Sequence, residues 1–470
     1  MVFSSLLFIF IFLPVTLALY YLFPKRVRNI VILVTSLIFY AWGEPVYIVI
    51  MLFSTVFDYV NGRLIQKNIN NNNNKAAKAV LIFSIAVNLG LLCFFKYYGF
   101  IINNINELFN LSIHVKSIPL PLGISFYTFQ TMSYVIDVYK RVVPAQKNFI
   151  NFATYISMFP QLLAGPIVKY RDVEKEITDR RESLQLFSEG IELFIKGLFK
   201  KVFIANNIGA IWSVIKVLPL DQLSVVSAWV GIIAFTFQIY FDFSGYSDMA
   251  RGLARMFGFK LPLNFDHPYA SKSITEFWRR WHMTLGSWFR EYVYIPLGGN
   301  RTTRYKHYRN IFIVWFLTGL WHGANWNFVL WGLYYGIFVT LEKMFLLKWL
   351  EKLPGILRNI YSLLIVIVGW VLFEFESVSG ILNFLGVMFG VNACRFIDTT
   401  AVYYMYTNAV LFVIMLLCST PIPSKVLETV RFKSEKIKIA AFFALYIAMM
   451  FICTSYLVNQ SFNPFLYFRF

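Results

Sequence analysis

Two histidines stand where their side chains could carry acid–base chemistry. His322 lies in Phe316-Leu-Thr-Gly-Leu-Trp-His-Gly-Ala-Asn-Trp326, inside an apolar run over 311–340. With a helix starting near Ile311, His322 sits about 17 Å along it at a rise of about 1.5 Å per residue. That depth is close to mid-bilayer, where an ionisable group is costly and marks a functional site unless packing explains it. The packing alternative is an interhelical hydrogen bond beside a small-xxx-small face made by Gly319 and Gly323. His282 belongs to a charged and aromatic segment, 274–295, ended by Pro296 and Gly298-Gly299. A helix there places Arg279, His282, Gly286 and Arg290 on one stripe about 80° wide, with Phe277, Trp281, Leu285, Trp288 and Tyr292 opposite. The bland alternative is an interfacial amphipathic helix whose arginines face lipid headgroups.

Other candidates are weaker. His114 lies in a polar loop, His307 in a Tyr/Lys/Arg cluster, and His267 in Asp-His-Pro at a turn. Asp242 and Asp248 flank Phe-Ser-Gly-Tyr-Ser and are read as ion-pair partners of Arg251 or Arg255. No HExxH, P-loop, GxSxG or GxGxxG context occurs, so metalloprotease, NTPase, α/β-hydrolase and dinucleotide chemistry have no support. Cys93, Cys394, Cys418 and Cys453 form no CxxC, which argues against a disulfide framework or a Cys-based zinc site.

The elements that position these residues are set by composition. Of 470 residues, 58% are apolar and 14% charged, against roughly 25% charged in soluble domains. The mean hydropathy is +0.60. The chain reads as an all-α, polytopic membrane protein, with a first, uncleaved span over 2–23. Further long apolar runs cover 79–95, 223–243, 311–340, 356–375, 401–418 and 439–458, each enough for a span. Residues 29–60 are interrupted by Gly43-Glu44-Pro45 and read as two helices meeting at a break. Residues 148–168, broken by Pro160 and Gly165-Pro166, read as re-entrant or interfacial. Broken helices at membrane depth persist only inside protein or around a water-filled cavity, which points to a site within the membrane. The excess of 43 Lys+Arg over 24 Asp+Glu falls between apolar runs, as the positive-inside rule requires, and not in a nucleic-acid-binding module. The Arg63–Lys78 loop, the Lys169–Arg181 run and the 251–309 region are therefore expected on the cytoplasmic side. No internal repeat of the transporter kind is visible.

The stretches Pro119–Gln130, Tyr240–Asp248, Phe277–Leu285, Trp288–Arg301, Thr318–Asn325 and Asn463–Phe470 resemble the membrane-bound O-acyltransferase family, and within it the alginate O-acetyltransferase branch. The D-alanine transferase of teichoic acid modification is a similar cousin sharing an Arg-Trp-His core. The resemblance implies one membrane domain over 1–470, a ring of tilted helices around a funnel, and a place in the bacterial cytoplasmic membrane. It maps the family's two characteristic histidines onto His282 and His322. Acyl transfer from a thioester, acetyl-CoA or an acyl-carrier, to a hydroxyl is then expected, with an extracytoplasmic relay protein and a secreted or cell-wall glycan as partners. No metal and no tightly bound cofactor is implied.

On that reading His322 is the general base, and His282 positions the thioester or polarises its carbonyl. Arg279, Arg280 and Arg290 hold donor phosphates, because guanidinium matches phosphate geometry. Asn325, one helical turn beyond His322, is an expected donor to the developing oxyanion. A transporter of acyl donor or glycan, doing no chemistry, is the competing reading of an intramembrane histidine among broken helices.

Overall fold

The computed structural model describes residues 1–116, 118–429, 434–459 and 465–466. Among them the regular elements are all helices, and no strand occurs. Seven of those helices are long and apolar enough to cross a membrane, or eight if the bent pair over 399–418 is one span. The chain is an all-α, multi-pass membrane protein. Most of Asn463–Phe470, part of the resemblance, lies outside the described residues.

The chain forms two compact units. The first contains Met1–Phe194 and Tyr246–Pro262. Its helices are α1 (Leu13–Leu22), α2 (Arg28–Ala41), α3 (Ile48–Asn70), α4 (Asn74–Phe109), α5 (Ile124–Tyr139), α6 (Phe149–Ser157), α7 (Phe159–Leu162), α8 (Tyr170–Thr178) and the start of α9 (Leu184–Phe199). The break at Gly43-Glu44-Pro45 separates α2 from α3 as expected. The expected Arg63–Lys78 loop is instead mostly helix. α3 runs on to Asn70, and α4 starts at Asn74, where the Asn73 side chain accepts from Ala76 N at 3.0 Å. Such a cap satisfies one of the helix's free N–H groups, so the polar Asn tract shrinks to a tight turn.

A buried carboxylate ties α3 to its neighbours. Asp58 accepts from Ser84 Oγ at 2.6 Å and Asn88 Nδ2 at 2.8 Å, both on α4, and Thr131 of α5 donates to Asn88 at 3.3 Å. A buried polar group without such donors would lose roughly 1–3 kcal/mol. Residues 152–170 are buried throughout. Asn148 caps α6, and the chain is released from helix at Met158 before Pro160. Enclosure in protein suits the re-entrant alternative better than the interfacial one.

The second unit contains Ile195–Gly245 and Leu263–Ser461. It holds the end of α9, α10 (Asn206–Ile215), most of α11 (Val225–Met256), α12 (Ile274–Arg280), α13 (Met283–Phe289), α14 (Arg304–His322), α15 (Trp326–Leu341), α16 (Leu347–Leu350), α17 (Gly355–Glu374), α18 (Val378–Met388), α19 (Thr399–Thr407), α20 (Ala409–Cys418), α21 (Ile422–Thr429) and α22 (Glu435–Asn459). Asp242 on α11 forms a buried ion pair with Lys201, and not with Arg251 or Arg255. In the first unit Asp248 does pair with Arg251, at 3.3 Å, while Arg255 pairs with Glu189 at 3.1 Å.

Two expected helices are broken. The 311–340 run is a hairpin, with α14 ending at His322 and α15 starting at Trp326. The hairpin closes because Gly319 and Gly332 have no side chain. A Cβ on Gly319 would collide with the Phe328 carbonyl oxygen, and one on Gly332 with that of Trp315. Thus the small-residue face exists, and it serves the hairpin itself. Segment 274–295 is also divided, between α12 and α13, at Trp281 and His282.

Candidate active site

His282 occupies the second break with φ 44° and ψ 52°. This left-handed region is uncommon for a residue with a side chain and persists only where surroundings enforce it. The enforcing segment is 264–266. Asn264 O accepts from Met283 N at 2.9 Å, and Asp266 N donates to Arg280 O at 2.9 Å. The Asn264 side-chain oxygen accepts from Thr284 N at 3.2 Å and Thr284 Oγ1 at 2.9 Å, and lies 3.1 Å from His282 Nδ1. A backbone N–H can only donate, so the Asn264 atom facing it is the oxygen, and His282 Nδ1 must carry the proton. The lone pair is then on Nε2, which can accept a hydrogen bond but cannot donate one. His282 is buried and lies outside the helices long and apolar enough to span. Burial pushes its pKa down from 6.5 to about 3, so the ring is neutral at neutral pH.

His322 is held differently. It is buried as the last residue of α14, with its ring packed edge-on against Trp331 (4.8 Å between centroids), Trp321 (5.1 Å) and Phe373 (5.4 Å). Trp321 also meets His282 at 6.0 Å. The two histidines, 40 positions apart, are therefore neighbours of one indole ring.

The remaining expected site residues divide. Arg279 and Arg290 are exposed, and among the described residues neither forms an ion pair. Arg280 is engaged with Glu276 at 3.0 Å and Asp266 at 3.4 Å. The single stripe of Arg279, His282 and Arg290 does not form, because the break buries His282 and leaves the arginines on the surface. Trp281 and Trp288, placed on the opposite stripe, are buried as well; Trp281 packs against Trp370 at 4.9 Å. Asn325 is not one helical turn beyond His322. It lies in the hairpin turn, where its side-chain oxygen accepts from Trp326 N at 2.6 Å and caps α15.

Three residues that support the site carried little sequence signal. Asn264, in an unremarkable loop, fixes the His282 tautomer. Glu342, buried just after α15, accepts from Ile274 N at 2.6 Å, Thr275 N at 2.8 Å and Tyr361 OH at 3.1 Å, and so caps α12. A carboxylate following an apolar run was a detectable warning. Trp331, beside His322, is buried with an Nε1–H that meets no acceptor among the described residues. Among those residues, no group of three or more His, Cys, Asp or Glu is arranged to hold a metal ion.

Broken helices in a multi-pass membrane protein bring two buried histidines to one aromatic ring, and the class of the protein follows from sequence comparison. Residues 140–373 match MBOAT, the membrane-bound O-acyltransferase family, and the chain belongs to it. It is 42% identical to a probable alginate O-acetylase of Azotobacter vinelandii, over 80% of this chain and 76% of that one. It is 34% identical to a peptidoglycan O-acetyltransferase of Helicobacter pylori, covering 83% of this chain and 80% of the relative. A teichoic acid D-alanyltransferase of Bacillus subtilis is 28% identical over 55% of this chain and 68% of its own. The chain is an O-acyltransferase of the kind that modifies polysaccharides.

Proposed function

We propose that this enzyme O-acetylates a secreted or cell-wall glycan from the bacterial cytoplasmic membrane, taking the acetyl group from a thioester that enters on the cytoplasmic side. The observation that carries the reading is the pairing of His282 and His322 around Trp321. Acetyl is favoured over D-alanyl because identity and coverage are both higher with the O-acetylating relatives.

His322 removes the proton of the acceptor hydroxyl as its oxygen attacks the thioester carbonyl carbon. Negative charge collects on the carbonyl oxygen, the C–S bond then breaks, and the departing thiolate takes the proton back from His322. Two N–H sources are candidates to meet that charge: Nε1 of Trp331, whose ring packs on His322, and the amide nitrogen of Asn325, three residues on in the hairpin turn, whose oxygen is occupied by the helix cap. His282 takes the positioning role and not the polarising one. A neutral ring whose Nε2 carries a lone pair and no proton can accept an amide or thiol hydrogen of the donor, but cannot donate to its carbonyl. Arg279 and Arg290 are the open cations for donor phosphates, coenzyme A or a carrier's phosphopantetheine. Delivery to the glycan passes through an extracytoplasmic partner protein.

Purified protein in lipid nanodiscs, given a labelled acetyl thioester, should release free thiol and label a hydroxyl acceptor. Movement of intact donor across the membrane, without thiol release, would return the molecule to the transporter class.

A further inference from the structure

The first unit carries a basic pocket lined by none of the residues of the proposed acyl-transfer site. A cavity of about 560 Å³ is lined by Arg63, Lys67 and Lys147, with Gln66, Asn70 and Asn71 adding amides and no carboxylate in the wall. Among the described residues none of the three cations forms an ion pair. From Tyr59 to Asn106 the chain contains no Asp or Glu at all. The pocket is also built. Its second wall, 144–147, is fixed by Ala145 N donating to Gln66 Oε1 at 3.2 Å, Tyr59 OH donating to Lys147 O at 2.6 Å, and Gln146 N donating to Tyr134 OH at 2.9 Å.

What fits it is indicated by the helix that leads to it. On α3 the exposed apolar residues are Val49, Leu52, Phe53, Val56, Val60 and Leu64, with the exposed cations Arg63 and Lys67 at the C-terminal end of the row. Their spacing of three and four puts them on one face, opposite the buried Asp58 face. That apolar lane is about 22 Å long from Val49 to Leu64 at about 1.5 Å per residue, longer than half of a hydrocarbon core of about 30 Å. An apolar lane ending in a three-cation pocket matches a molecule with acyl chains at one end and a phosphate at the other. We propose that the Arg63–Lys67–Lys147 pocket binds the phosphate of an anionic phospholipid whose acyl chains lie along the outer face of α3.

The test is native mass spectrometry of the full-length detergent-purified protein titrated with phosphatidylglycerol or phosphatidylcholine, on wild type and on Arg63→Gln/Lys67→Gln. One phosphatidylglycerol should stay bound per wild-type chain and phosphatidylcholine should not. The double variant should need at least about 10-fold more phosphatidylglycerol for equal occupancy, since each charged hydrogen bond contributes about 1.5–3 kcal/mol. Lys147→Gln, on the loop wall, carries the same test if the helix variant fails to fold. Equal occupancy in wild type and variant, or equal retention of the two lipids, overturns the proposal. Displacement of phosphatidylglycerol by submillimolar coenzyme A or inorganic pyrophosphate also overturns it, because the pocket would then serve a soluble phosphate. Acetyl turnover in the variants is read separately, so loss of the lipid site and failure of the acyl-transfer reading are distinguishable.

Discussion

The two helix breaks that hold the histidines are built by opposite means. At His282 the backbone is forced into a left-handed turn, and hydrogen bonds from a distant loop hold the ring. At His322 the helix ends without strain and three aromatic rings confine the imidazole. A hydrogen bond fixes a tautomer, whereas ring packing fixes a position. The proposed roles, holding for His282 and proton transfer for His322, rest on that difference, and it can be broken experimentally.

The largest effect should come from His322→Ala, which removes the base while leaving the protein inserted. A loss of about 10²–10⁴-fold in kcat is expected; a variant retaining half its turnover would end the assignment. Trp331→Phe keeps the aromatic confinement but removes the N–H, and should lower kcat about 10²–10³-fold if that group meets the oxyanion. If Asn325→Ala shows that loss instead, the hairpin turn supplies the donor.

The arginines sharpen the contrast between open and occupied cations. Arg279→Gln and Arg290→Gln should raise the donor KM about 10–150-fold with smaller change in kcat, the equivalent of one charged hydrogen bond each. Arg280→Gln should barely alter donor KM, because that side chain is spent on Glu276 and Asp266. Donor titrations of the three variants in detergent give the answer, and equal behaviour of all three would refute the division.

Asn264→Ala leaves His282 Nδ1–H and the Thr284 N–H without their acceptor and should reduce kcat/KM roughly 5–150-fold, matching about 1–3 kcal/mol. Asn264→Asp keeps the acceptor and should recover most of it. A variant with merely structural damage would not be rescued in this way.

The smallest effect is in pH. The folded pKa of His282 lies below its unfolded value, so the unfolded chain binds a proton the folded one does not, and stability falls as pH drops below about 6.5. Between pH 7 and pH 5 this is about 2 kcal/mol, at 1.4 kcal/mol per pH unit. Thermal unfolding in detergent should show His282→Gln losing less over that range than the wild type.

Much of this was legible in the sequence. Runs near 79–95, 223–243, 356–375 and 439–458 lie in long helices, and the break at Gly43-Glu44-Pro45 announced itself through helix-breaking residues. Breaks at His282 and after His322 did not. Helical periodicity continues through Trp281-His282, and the turn there depends on Asn264, whose contact spans 18 positions. The hairpin after His322 depends on Gly319 facing Gly332, where two backbones meet. Periodicity reports which face a residue takes along a helix, and it is silent on contacts that interrupt one. His322 was visible because an ionisable residue in an apolar run is conspicuous, and His282 because it stood between two arginines; Asn264 was hidden because a neutral amide in a loop is not conspicuous.

The cap on α12 has a temporal consequence. Glu342 follows the Ile274 N–H it accepts from by 68 positions, so the segment bearing Arg279 and preceding His282 cannot be completed when it leaves the ribosome. It must wait until the α14–α15 hairpin has been synthesised and inserted. The α12 side of the candidate site is thus assembled late, and a chain released before Glu342 is made would carry both histidines without the frame that holds α12 in place.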